Sequence, residues 1–501
     1  MLPGHRQTVH KLSPEAARIY AMNYRLLTHG FILSLAALLT GCVLSGERSG
    51  LRTITVLYTN DEHGWMEGMA PGKGAANLYA LWQQQEGYYP DGPFLILSGG
   101  DNWTGPAIST WTEGESMVEV MNAMHYDASA VGNHEFDFGL EVLSARAAEA
   151  DFPYLSANTR WRESGAVAVE LGILPYSIAT VSDLRIGIVG LTTRDTATTT
   201  NPIHVAELDF TDYETALRET VPQVRREDID LLFVISHVCI EALAPLINAT
   251  ADLDLDLVGA GHCNQLEASR RGDTVLLGGG YHFTSYAKAS FTVDLGTGVL
   301  QQVNFATRDN SAAIADRGIT ALISDWSGAI EAALSEVVAF SAREVSRTAG
   351  GLNQAIVQSW LWHDPTADIA ISNAGGIRID LPAGEIDIGT LVAMMPFDNT
   401  IVALNLTGAE VRAALASGSR PVVAGVEQIN NRWQFTDSGA RLRDEQTYRV
   451  LVNSFMYAGG DGYSILPEAD PNGIDTGIHY RQPFQNWLQS LATSVDQPLE
   501  L

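Results

Sequence analysis

The sequence has 501 residues, of which 46% are hydrophobic and 18% are charged. A chain of this length exceeds one ordinary core, and its composition excludes a protein that stays disordered for lack of apolar surface to bury. Acidic residues outnumber basic ones by 59 to 30, which gives a formal net charge of −29. This balance excludes a binder of nucleic-acid backbones, because that function needs a basic face to displace counterions.

The N-terminal segment has the features of an export signal. Arg25 precedes an apolar run at residues 31–39, which is too short to span a bilayer and fits the hydrophobic part of a signal peptide. The tetrapeptide LTGC at residues 39–42 resembles the lipobox of bacterial lipoproteins, whose cysteine carries the lipid. We expect an exported lipoprotein, periplasmic or at the cell surface, anchored to a membrane through Cys42. A short buried helix is the alternative.

Between residues 53 and 307, short apolar segments alternate with helical ones, which predicts a layered α/β architecture. The predicted strands cover residues 53–59, 94–98, 127–131, 185–190, 231–236 and 255–260. Polar residues follow five of these six strands closely. Open α/β sheets place their ligand sites at that edge, so the pattern predicts a site there.

Two cysteines follow Cys42 in the sequence, Cys239 and Cys263. They cannot provide a disulfide framework for a chain of this size, and both lie beside polar residues that could bind metal. Pairing with each other and ligation of a metal are two alternatives. We expect two small, packed thiols.

Apolar residues between Ile314 and Phe340 recur at helical spacing, which predicts a helix that links two domains. A second α/β segment follows, with predicted strands at residues 369–372 and 448–452 and a helix near Gly408 to Ser417. The predicted organisation is a leader over residues 1–50, a first domain over 51–312, a linker helix over 313–345 and a smaller second domain over 346–501.

Five polar motifs near the ends of the predicted strands offer oxygen or imidazole donors. They read NDEHG at residues 60–64, GGDN at 99–102, GNHEFD at 132–137, SH at 236–237 and GHCN at 261–264. Each motif alone is a weak signal, because one polar residue after a strand is usually a cap or a turn residue. Asp, His and Asn donors without a required thiolate suit Mn²⁺, Zn²⁺, Fe or Mg²⁺.

The order of these motifs resembles the calcineurin-like metallophosphoesterases, specifically the bacterial family of 5'-nucleotidases, 2',3'-cyclic phosphodiesterases and UDP-sugar hydrolases. The most specific match is GNHEFDFG at residues 132–139. The resemblance implies a four-layer α/β/β/α sandwich in the first domain and two divalent metal ions. It assigns one ion to Asp61, His63, Asp101 and Asn264, and the other to Asp101, Asn133, His237 and His262.

His134 has no metal in this assignment and lies beside Asn133. An imidazolium at that position could stabilise phosphoryl oxygens or assist the leaving group. The resemblance implies that Asp137 orients this imidazole, although a helix N-cap is the alternative role for Asp137. We assign His134 as catalytic and Asp137 as its partner.

The polar loops of the second domain resemble the nucleotide-binding site of the same family. The segment NAGGIR at residues 373–378 follows a strand, and its small residues let backbone N–H groups and an arginine approach an anion. The resemblance implies that two aromatic rings clamp the base and that an aspartate accepts the ribose hydroxyls. The substrate-binding residues are then Asn373, Gly375, Gly376, Arg378, Phe397, Phe455 and Asp461.

One segment departs from the family pattern. Residues 352–358 read LNQAIVQ where relatives have an LGNxxxD-like segment, so that Asn353 and Gln358 stand at the Gly and Asp positions. Arg347 is the nearby arginine. This departure affects the prediction of which residues bind the phosphate of the substrate.

Together with the export signal, the resemblance implies an exported enzyme that hydrolyses nucleotides by attack of metal-activated water on phosphorus. The two motif sets lie in different domains, which implies a shared cleft and rotation of the second domain about the linker helix. A thiosulfohydrolase-like enzyme of the same fold and a non-catalytic, nucleotide-binding surface lipoprotein are the alternatives.

Overall fold

The computed structural model describes residues 49–312, 314–348, 351–418 and 421–501. The predicted signal segment and Cys42 lie outside these residues. Within the described ranges, no helix is both long and apolar enough to cross a bilayer.

Strands and helices alternate through most of the described chain. The strands are β1 Leu51–Thr59, β2 Phe94–Ser98, β3 Ala128–Ala130, β4 Tyr154–Leu155, β5 Thr159–Trp161, β6 Ile173–Leu174, β7 Tyr176–Val181, β8 Leu184–Thr192, β9 Leu208–Phe210, β10 Leu231–His237, β11 Leu257–Gly259, β12 Leu266–Arg271, β13 Thr274–Gly279, β14 Ser285–Asp294, β15 Val299–Asp309, β16 Val337–Ser341, β17 Ile369–Asn373, β18 Gly384–Asp387, β19 Thr400–Thr407, β20 Pro421–Ala424, β21 Val426–Ile429, β22 Arg432–Phe435, β23 Thr447–Asn453 and β24 Ile474–His479. The α-helices are α1 Ala75–Leu81, α2 Ala107–Thr110, α3 Glu115–Ala123, α4 Leu140–Glu149, α5 Thr196–Thr199, α6 Tyr213–Val224, α7 Ile240–Ala249, α8 Arg317–Leu334, α9 Gly351–His363, α10 Ile388–Met394, α11 Gly408–Ala416, α12 Ser454–Tyr457, α13 Ile465–Ala469 and α14 Gln482–Ser490.

Two large sheets are built from thirteen of the strands β1 to β15, and the other two strands, β5 and β9, pair with each other. One has the strand order β15-β14-β1-β2-β3-β4-β6, and the other has the order β12-β13-β11-β10-β8-β7. The neighbours β1, β2 and β3 run parallel, as do β8, β10, β11 and β13. Strands inside such sheets are covered on both faces, which explains apolar runs such as Phe94–Ser98.

The two large sheets pack face to face over a shared apolar core. Side chains from both contribute, among them Ile54 and Val56 of β1, Ile188 of β8 and Phe233 of β10. The outer face of the first sheet packs against α1, α3, α4 and α8, and that of the second packs against α6 and α7. These four layers confirm the predicted α/β/β/α sandwich.

A five-stranded sheet with the order β20-β17-β23-β19-β24 forms the framework of the later residues. Trp360 of α9 and Phe484 of α14 belong to the core on one face, whereas Val411 of α11 and Leu466 of α13 belong to the core on the other. Successive strand residues point to opposite faces, so one strand supplies both cores. This region is the predicted smaller α/β unit.

The strands predicted from the sequence are present as β1, β2, β3, β8, β10, β11, β17 and β23, and the helix predicted near Gly408 is α11. The predicted helix to Phe340 is wrong in its last part. The helix α8 ends at Leu334, and Val337–Ser341 forms β16, which pairs with β18. Short apolar runs fit both periodicities, so spacing could not place this boundary. The domain boundaries stay a prediction.

The expectation of two packed thiols is also wrong. Cys239 and Cys263 form a disulfide, with 5.3 Å between their Cα atoms. Cys239 comes just after β10 and Cys263 comes just after β11, and these strands are parallel neighbours. Their carboxyl ends therefore bring the two cysteines within bonding distance.

Candidate metal centre and substrate cleft

The strand-end motifs converge at one edge of the two large sheets. Asp61 and His63 follow β1, Asp101 follows β2, and Asn133 follows β3 in the first sheet. In the second sheet, His237 ends β10, and His262 and Asn264 follow β11. Because the sheets pack face to face, the carboxyl ends of both strand groups meet at this edge.

Asp101 lies at the centre of this group. Its Oδ2 atom is 2.9 Å from Nε2 of His237 and 3.9 Å from Nε2 of His63. The possible ligand atoms of Asp101, His237 and His262 all lie within 4.8 Å of one another, and so do those of His63, Asp101 and His134. A carboxylate shared by two such groups could bridge two cations.

The orientation of the imidazoles is fixed by their second ring nitrogen. Nδ1–H of His237 donates to the carbonyl oxygen of Gly99 at 2.8 Å, and Nδ1–H of His63 donates to that of Thr104 at 3.1 Å. A carbonyl oxygen can only accept, so the neutral rings keep the lone pair on Nε2. This arrangement, in which a backbone group sets the tautomer, is typical of histidines that bind metal.

One buried oxygen atom indicates that a cation fits these residues. Oδ1 of Asn133 is buried and has no hydrogen-bond partner among the described residues, while its Nδ2 donates to the carbonyl oxygen of Thr199 at 3.3 Å. An unpaired buried acceptor costs about 1–3 kcal/mol, which a cation would offset. The oxygen and imidazole donors are those that Mn²⁺, Zn²⁺, Fe and Mg²⁺ accept. The donor set therefore fits divalent metal.

Five of the seven predicted ligands have a left-handed backbone. The φ angles are 57° at Asp61, 46° at His63, 57° at Asp101, 72° at His262 and 55° at Asn264. Residues other than glycine adopt this region at a cost, and they persist there only where the surroundings impose it. The loops therefore hold these side chains in fixed positions.

Glu135 is a part of this site that the sequence analysis missed. Its carboxylate accepts hydrogen bonds from the backbone N–H groups of Asp101 at 2.9 Å, Asn102 at 2.7 Å and Gly132 at 2.6 Å. Glu135 is fully buried, so burial, together with the charge of Asp101, raises its pKa to about 7. It ties the loops after β2 and β3 together. The sequence feature that could have identified Glu135 is its position inside the GNHEFD motif.

His134 and Asp137 form a buried pair beside the cluster. Nδ1 of His134 is 2.6 Å from Oδ2 of Asp137, and Thr200 donates to the other oxygen of Asp137 at 2.9 Å. Burial disfavours the imidazolium, but the charges of Asp137 and Asp101 outweigh it and raise the pKa of His134. The N-cap of α4 is Gly139, so the alternative role of Asp137 as that cap is not what the structure shows.

A cavity of about 330 Å³ opens at this edge and extends to the five-stranded sheet. It is lined by His134 and Asp137, by the ligand-type residues His63, Asp101, Asn133, His262 and Asn264, and by all seven predicted substrate-binding residues, Asn373, Gly375, Gly376, Arg378, Phe397, Phe455 and Asp461. Asp61 and His237 are fully buried behind it. The structure thus brings the two predicted residue sets to one cleft.

The cleft wall on the side of the five-stranded sheet has two kinds of contact. The Phe397 ring stacks on His134 with 5.7 Å between ring centroids, and the guanidinium of Arg378 lies 5.6 Å from the Phe397 centroid. Asn373 donates to Oδ2 of Asp461 at 2.8 Å. Aromatic and cationic surface therefore adjoins the His134 pair.

The backbone also shapes this wall. A Cβ atom at Gly460 would lie 2.3 Å from the Phe455 ring, so only glycine allows the turn to pack there. Asp461 follows with φ of 53°, in the left-handed region. The ring of Phe455 and the carboxylate of Asp461 are thus placed by one tight turn.

The atypical segment lies beside a second cavity of about 480 Å³. Asn353 of α9 and Arg347 line it, together with His63 and Arg378, which also line the first cavity. Arg347 donates to the carbonyl oxygens of Ile377 and Arg378. Oδ1 of Asn353 is buried, and no group in the described part of the chain forms a hydrogen bond with it. Arg347, the arginine near the atypical segment, is therefore next to the NAGGIR segment.

The β8–β9 loop, residues 193–207, supplies cavity-lining side chains that carried no motif in the sequence. They are Thr199, Thr200, Asn201 and His204. The loop follows a strand end, as the predicted ligands do, but its Thr-rich composition indicated only a turn.

The chain is similar in sequence to known proteins. The family model described as "5'-nucleotidase, C-terminal domain" matches residues 331–468. The chain is 28% identical to a 5'-nucleotidase of Vibrio vulnificus, over 87% of this chain and 90% of that protein. It is 26% identical to protein UshA of Escherichia coli, over 95% of this chain and 98% of that protein.

Solved structures show the same architecture. A 5'-nucleotidase precursor from Thermus thermophilus superimposes with a TM-score of 0.74 at 25% identity, over 90% of this chain and 98% of that one. The sulfate thiohydrolase SoxB from Thermus thermophilus superimposes with a TM-score of 0.67 at 17% identity, over 88% and 94% of the two chains. The second likeness is one of fold alone.

Proposed function

This chain belongs to the 5'-nucleotidase family of phosphoric ester hydrolases, and from that premise we propose that it is an exported, metal-dependent phosphoesterase that hydrolyses nucleotides. The observation that carries the proposal is the clustering of ligand-type side chains around Asp101 in a cleft that also holds aromatic side chains. Neither feature alone would indicate a nucleotide as the substrate.

Two divalent cations would be held by residues of the strand-end loops. Asp61, His63, Asp101 and Asn264 would hold one, and Asp101, Asn133, His237 and His262 would hold the other. Divalent cations at such a site supply positive charge, which acidifies water and offsets the charge of phosphoryl oxygens. The buried oxygen of Asn133 and the fixed Nε2 atoms of His63 and His237 support this assignment.

His134 would act on the phosphoryl group. Asp137 holds Nδ1 and stabilises the imidazolium, so Nε2 carries a proton that it can donate to a phosphoryl oxygen or to the departing alkoxide. The attack itself comes from water on phosphorus, and the ester oxygen leaves with a proton. Burial keeps this pair out of bulk water, which strengthens its electrostatic effect.

Binding of the nucleotide would use the other wall of the cleft. Arg378 and the small residues Gly375 and Gly376 would approach the phosphate, because a guanidinium and free backbone N–H groups both suit an anion. Phe397 and Phe455 would stack on the base. Asp461 would accept hydrogen bonds from ribose hydroxyls.

Export is supported by two independent features. The residues before Cys42 have the composition of a lipoprotein signal. The Cys239–Cys263 disulfide is typical of proteins that work in an oxidising compartment. Labelling of cells with a fatty-acid analogue tests the lipid anchor: the label should be lost in a Cys42→Ser variant, and an unlabelled wild-type protein would exclude the anchor.

The activity is tested with purified protein and a substrate panel. Products should be measured in Mn²⁺, Zn²⁺, Mg²⁺ and Fe²⁺: inorganic phosphate and nucleoside from AMP and UMP, adenosine monophosphate from 2',3'-cyclic AMP, and UMP with glucose 1-phosphate from UDP-glucose. A thiosulfonate substrate tests the sulfur-centre alternative. We expect phosphate release that stops when a chelator is added. Protein that contains bound metal and hydrolyses none of the phosphoesters would exclude the proposed activity and favour a binding protein.

A further inference from the structure

The β8–β9 loop lies between the His134 pair and the proposed nucleoside region. Its helix α5 packs against the turn Gly460–Gly462, which carries Asp461. Four side chains of the loop line the cleft, namely Thr199, Thr200, Asn201 and His204. The loop belongs to the same half of the chain as the metal-ligand loops, so it offers the substrate a second wall.

Two hydrogen bonds attach this loop to the site already described. The hydroxyl group of Thr200 donates to Oδ1 of Asp137 at 2.9 Å. The carbonyl oxygen of Thr199 accepts from Nδ2 of Asn133 at 3.3 Å. Since both partners are buried residues of the candidate site, these bonds hold the loop next to Asp137 and Asn133.

His204 presents a hydrogen-bond acceptor to the cleft. Its Nδ1–H donates to the carbonyl oxygen of Phe136 at 3.2 Å, and this fixes the neutral tautomer with a lone pair on Nε2. Within the described part of the chain, Nε2 of His204 makes no hydrogen bond. The ring is half-buried and lines the cavity, so this acceptor is available to a bound molecule.

Asn201 presents the complementary donor. Its Oδ1 accepts from the backbone N–H of Ile203 at 3.2 Å, which leaves the two N–H bonds of Nδ2 for another partner. The loop thus offers an acceptor and a donor three residues apart. A phosphoryl group has only acceptors at neutral pH, whereas a nucleoside has both donors and acceptors on its base edge and its ribose hydroxyls.

We propose that Asn201 and His204 form a nucleoside-recognition site, in which Nε2 of His204 accepts a hydrogen bond from an N–H or O–H group of the nucleoside and Nδ2 of Asn201 donates one. This inference rests on the proposed function, because it requires a nucleotide in the cleft. The nucleoside is then held from two sides, by Phe397, Phe455 and Asp461 on one wall and by this loop on the other.

The test compares His204→Ala and Asn201→Ala with the control Ile203→Ala. Ile203 is on the same loop, has a side chain that is 65% exposed and does not line the cavity. Initial rates should be measured with AMP and with phenyl phosphate, a phosphate monoester that has neither ribose nor base. We expect the KM for AMP to rise about tenfold in each of the two variants, the effect of one hydrogen bond, with phenyl phosphate turnover and Ile203→Ala unchanged.

A further variant separates recognition of the substrate from support of the loop. His204→Asn places an amide nitrogen where Nδ1 lies, so it keeps the bond to Phe136, but it has no atom at the position of Nε2. Recognition by Nε2 predicts that His204→Asn has the raised KM for AMP of His204→Ala. A wild-type KM for AMP in His204→Asn would show that the histidine only holds the loop, and would overturn the proposal.

Two substrate analogues identify the group that His204 contacts. 2'-Deoxy-AMP lacks one ribose hydroxyl, and purine riboside 5'-monophosphate lacks the exocyclic amino group of the base. The analogue whose KM is insensitive to His204→Ala identifies the contacted group, and either result supports the proposal. Equal losses with AMP and with phenyl phosphate would contradict it. If wild-type protein hydrolysed phenyl phosphate but no nucleotide, the proposed function would fail instead.

Discussion

The metal-ligand loops and the nucleotide-facing loops of this cleft are built in different ways. The former hold buried polar side chains on strained backbone, with Asp101 at φ of 57° and the rings of His63 and His237 fixed by carbonyl oxygens. The latter present half-buried rings, Phe397 and Phe455, that contact the rest of the cleft mainly through packing.

This difference matches two proposed tasks, cation binding by the first set of loops and base stacking by the second. Cations need several donors at fixed distances, so the first set of loops is organised before any ligand binds. Stacking on a base tolerates small shifts and any base identity, so the second set needs fewer fixed contacts. Substitutions in the first set should therefore affect every substrate, whereas substitutions of the two stacking rings, Phe397 and Phe455, should affect nucleotides alone.

The largest expected effect is that of Asp101→Asn. The variant removes the charge shared by both proposed cations, so we expect loss of metal and a fall in turnover of about 10³-fold or more with every phosphoester. Metal content by mass spectrometry and phosphate release check it. Asp273→Asn is the control, because that side chain is fully exposed. Normal metal content in Asp101→Asn would contradict the assignment.

His134→Ala should reduce kcat by about 10²- to 10³-fold with AMP and with phenyl phosphate alike, since it removes a proton donor from the phosphoryl group. Metal content should stay at the wild-type level, because the ring has no assigned metal. Comparable metal loss in His134→Ala and Asp101→Asn would mean that His134 is a ligand instead.

Removal of the disulfide should weaken metal binding without changing the chemistry. Cys263 lies between His262 and Asn264, so the bond to Cys239 restrains two proposed ligands. In Cys239→Ser/Cys263→Ser we expect an affinity for Mn²⁺ that is about 10-fold lower by calorimetry, with kcat restored at saturating metal. An unchanged metal affinity with a lower melting temperature would show that the disulfide serves stability alone.

Phe455→Ala should have the most selective effect, limited to the binding of nucleotides. Loss of one stacking surface predicts an increase of about tenfold in the KM for AMP and UMP, and no change in phenyl phosphate turnover. Phe305 is a half-buried phenylalanine of β15 that does not line the cavity, so Phe305→Ala is the matched control for general destabilisation. Equal effects on AMP and phenyl phosphate would place Phe455 outside the nucleoside region.

Much of the fold could be predicted because its central strands are local signals. Buried parallel strands such as Leu231–His237 are short apolar runs, and the polar residues that follow them mark the functional edge. The positions of the metal-ligand motifs could be read in the same way. The strand Val337–Ser341 could not, because it continues the helical spacing of α8 and its pairing with Gly384–Asp387 is remote in sequence.

The features that sequence analysis missed depend on tertiary contacts. The Cys239–Cys263 bond follows from the adjacency of β10 and β11, which no local pattern reveals. Glu135 is buried because it satisfies three backbone N–H groups from two loops. His204 lines the cleft through its hydrogen bond to Phe136, on a loop that packs beside the turn that carries Asp461.

The central claim is that two cations share the Asp101 carboxylate, and anomalous diffraction from crystals of the Mn²⁺-loaded protein tests it most directly. The account predicts two anomalous peaks about 3.5–4 Å apart, one on each side of Asp101, with His63 near one and His237 near the other. Peaks elsewhere on the molecule, or full Mn²⁺ loading with no peak beside Asp101, would contradict it.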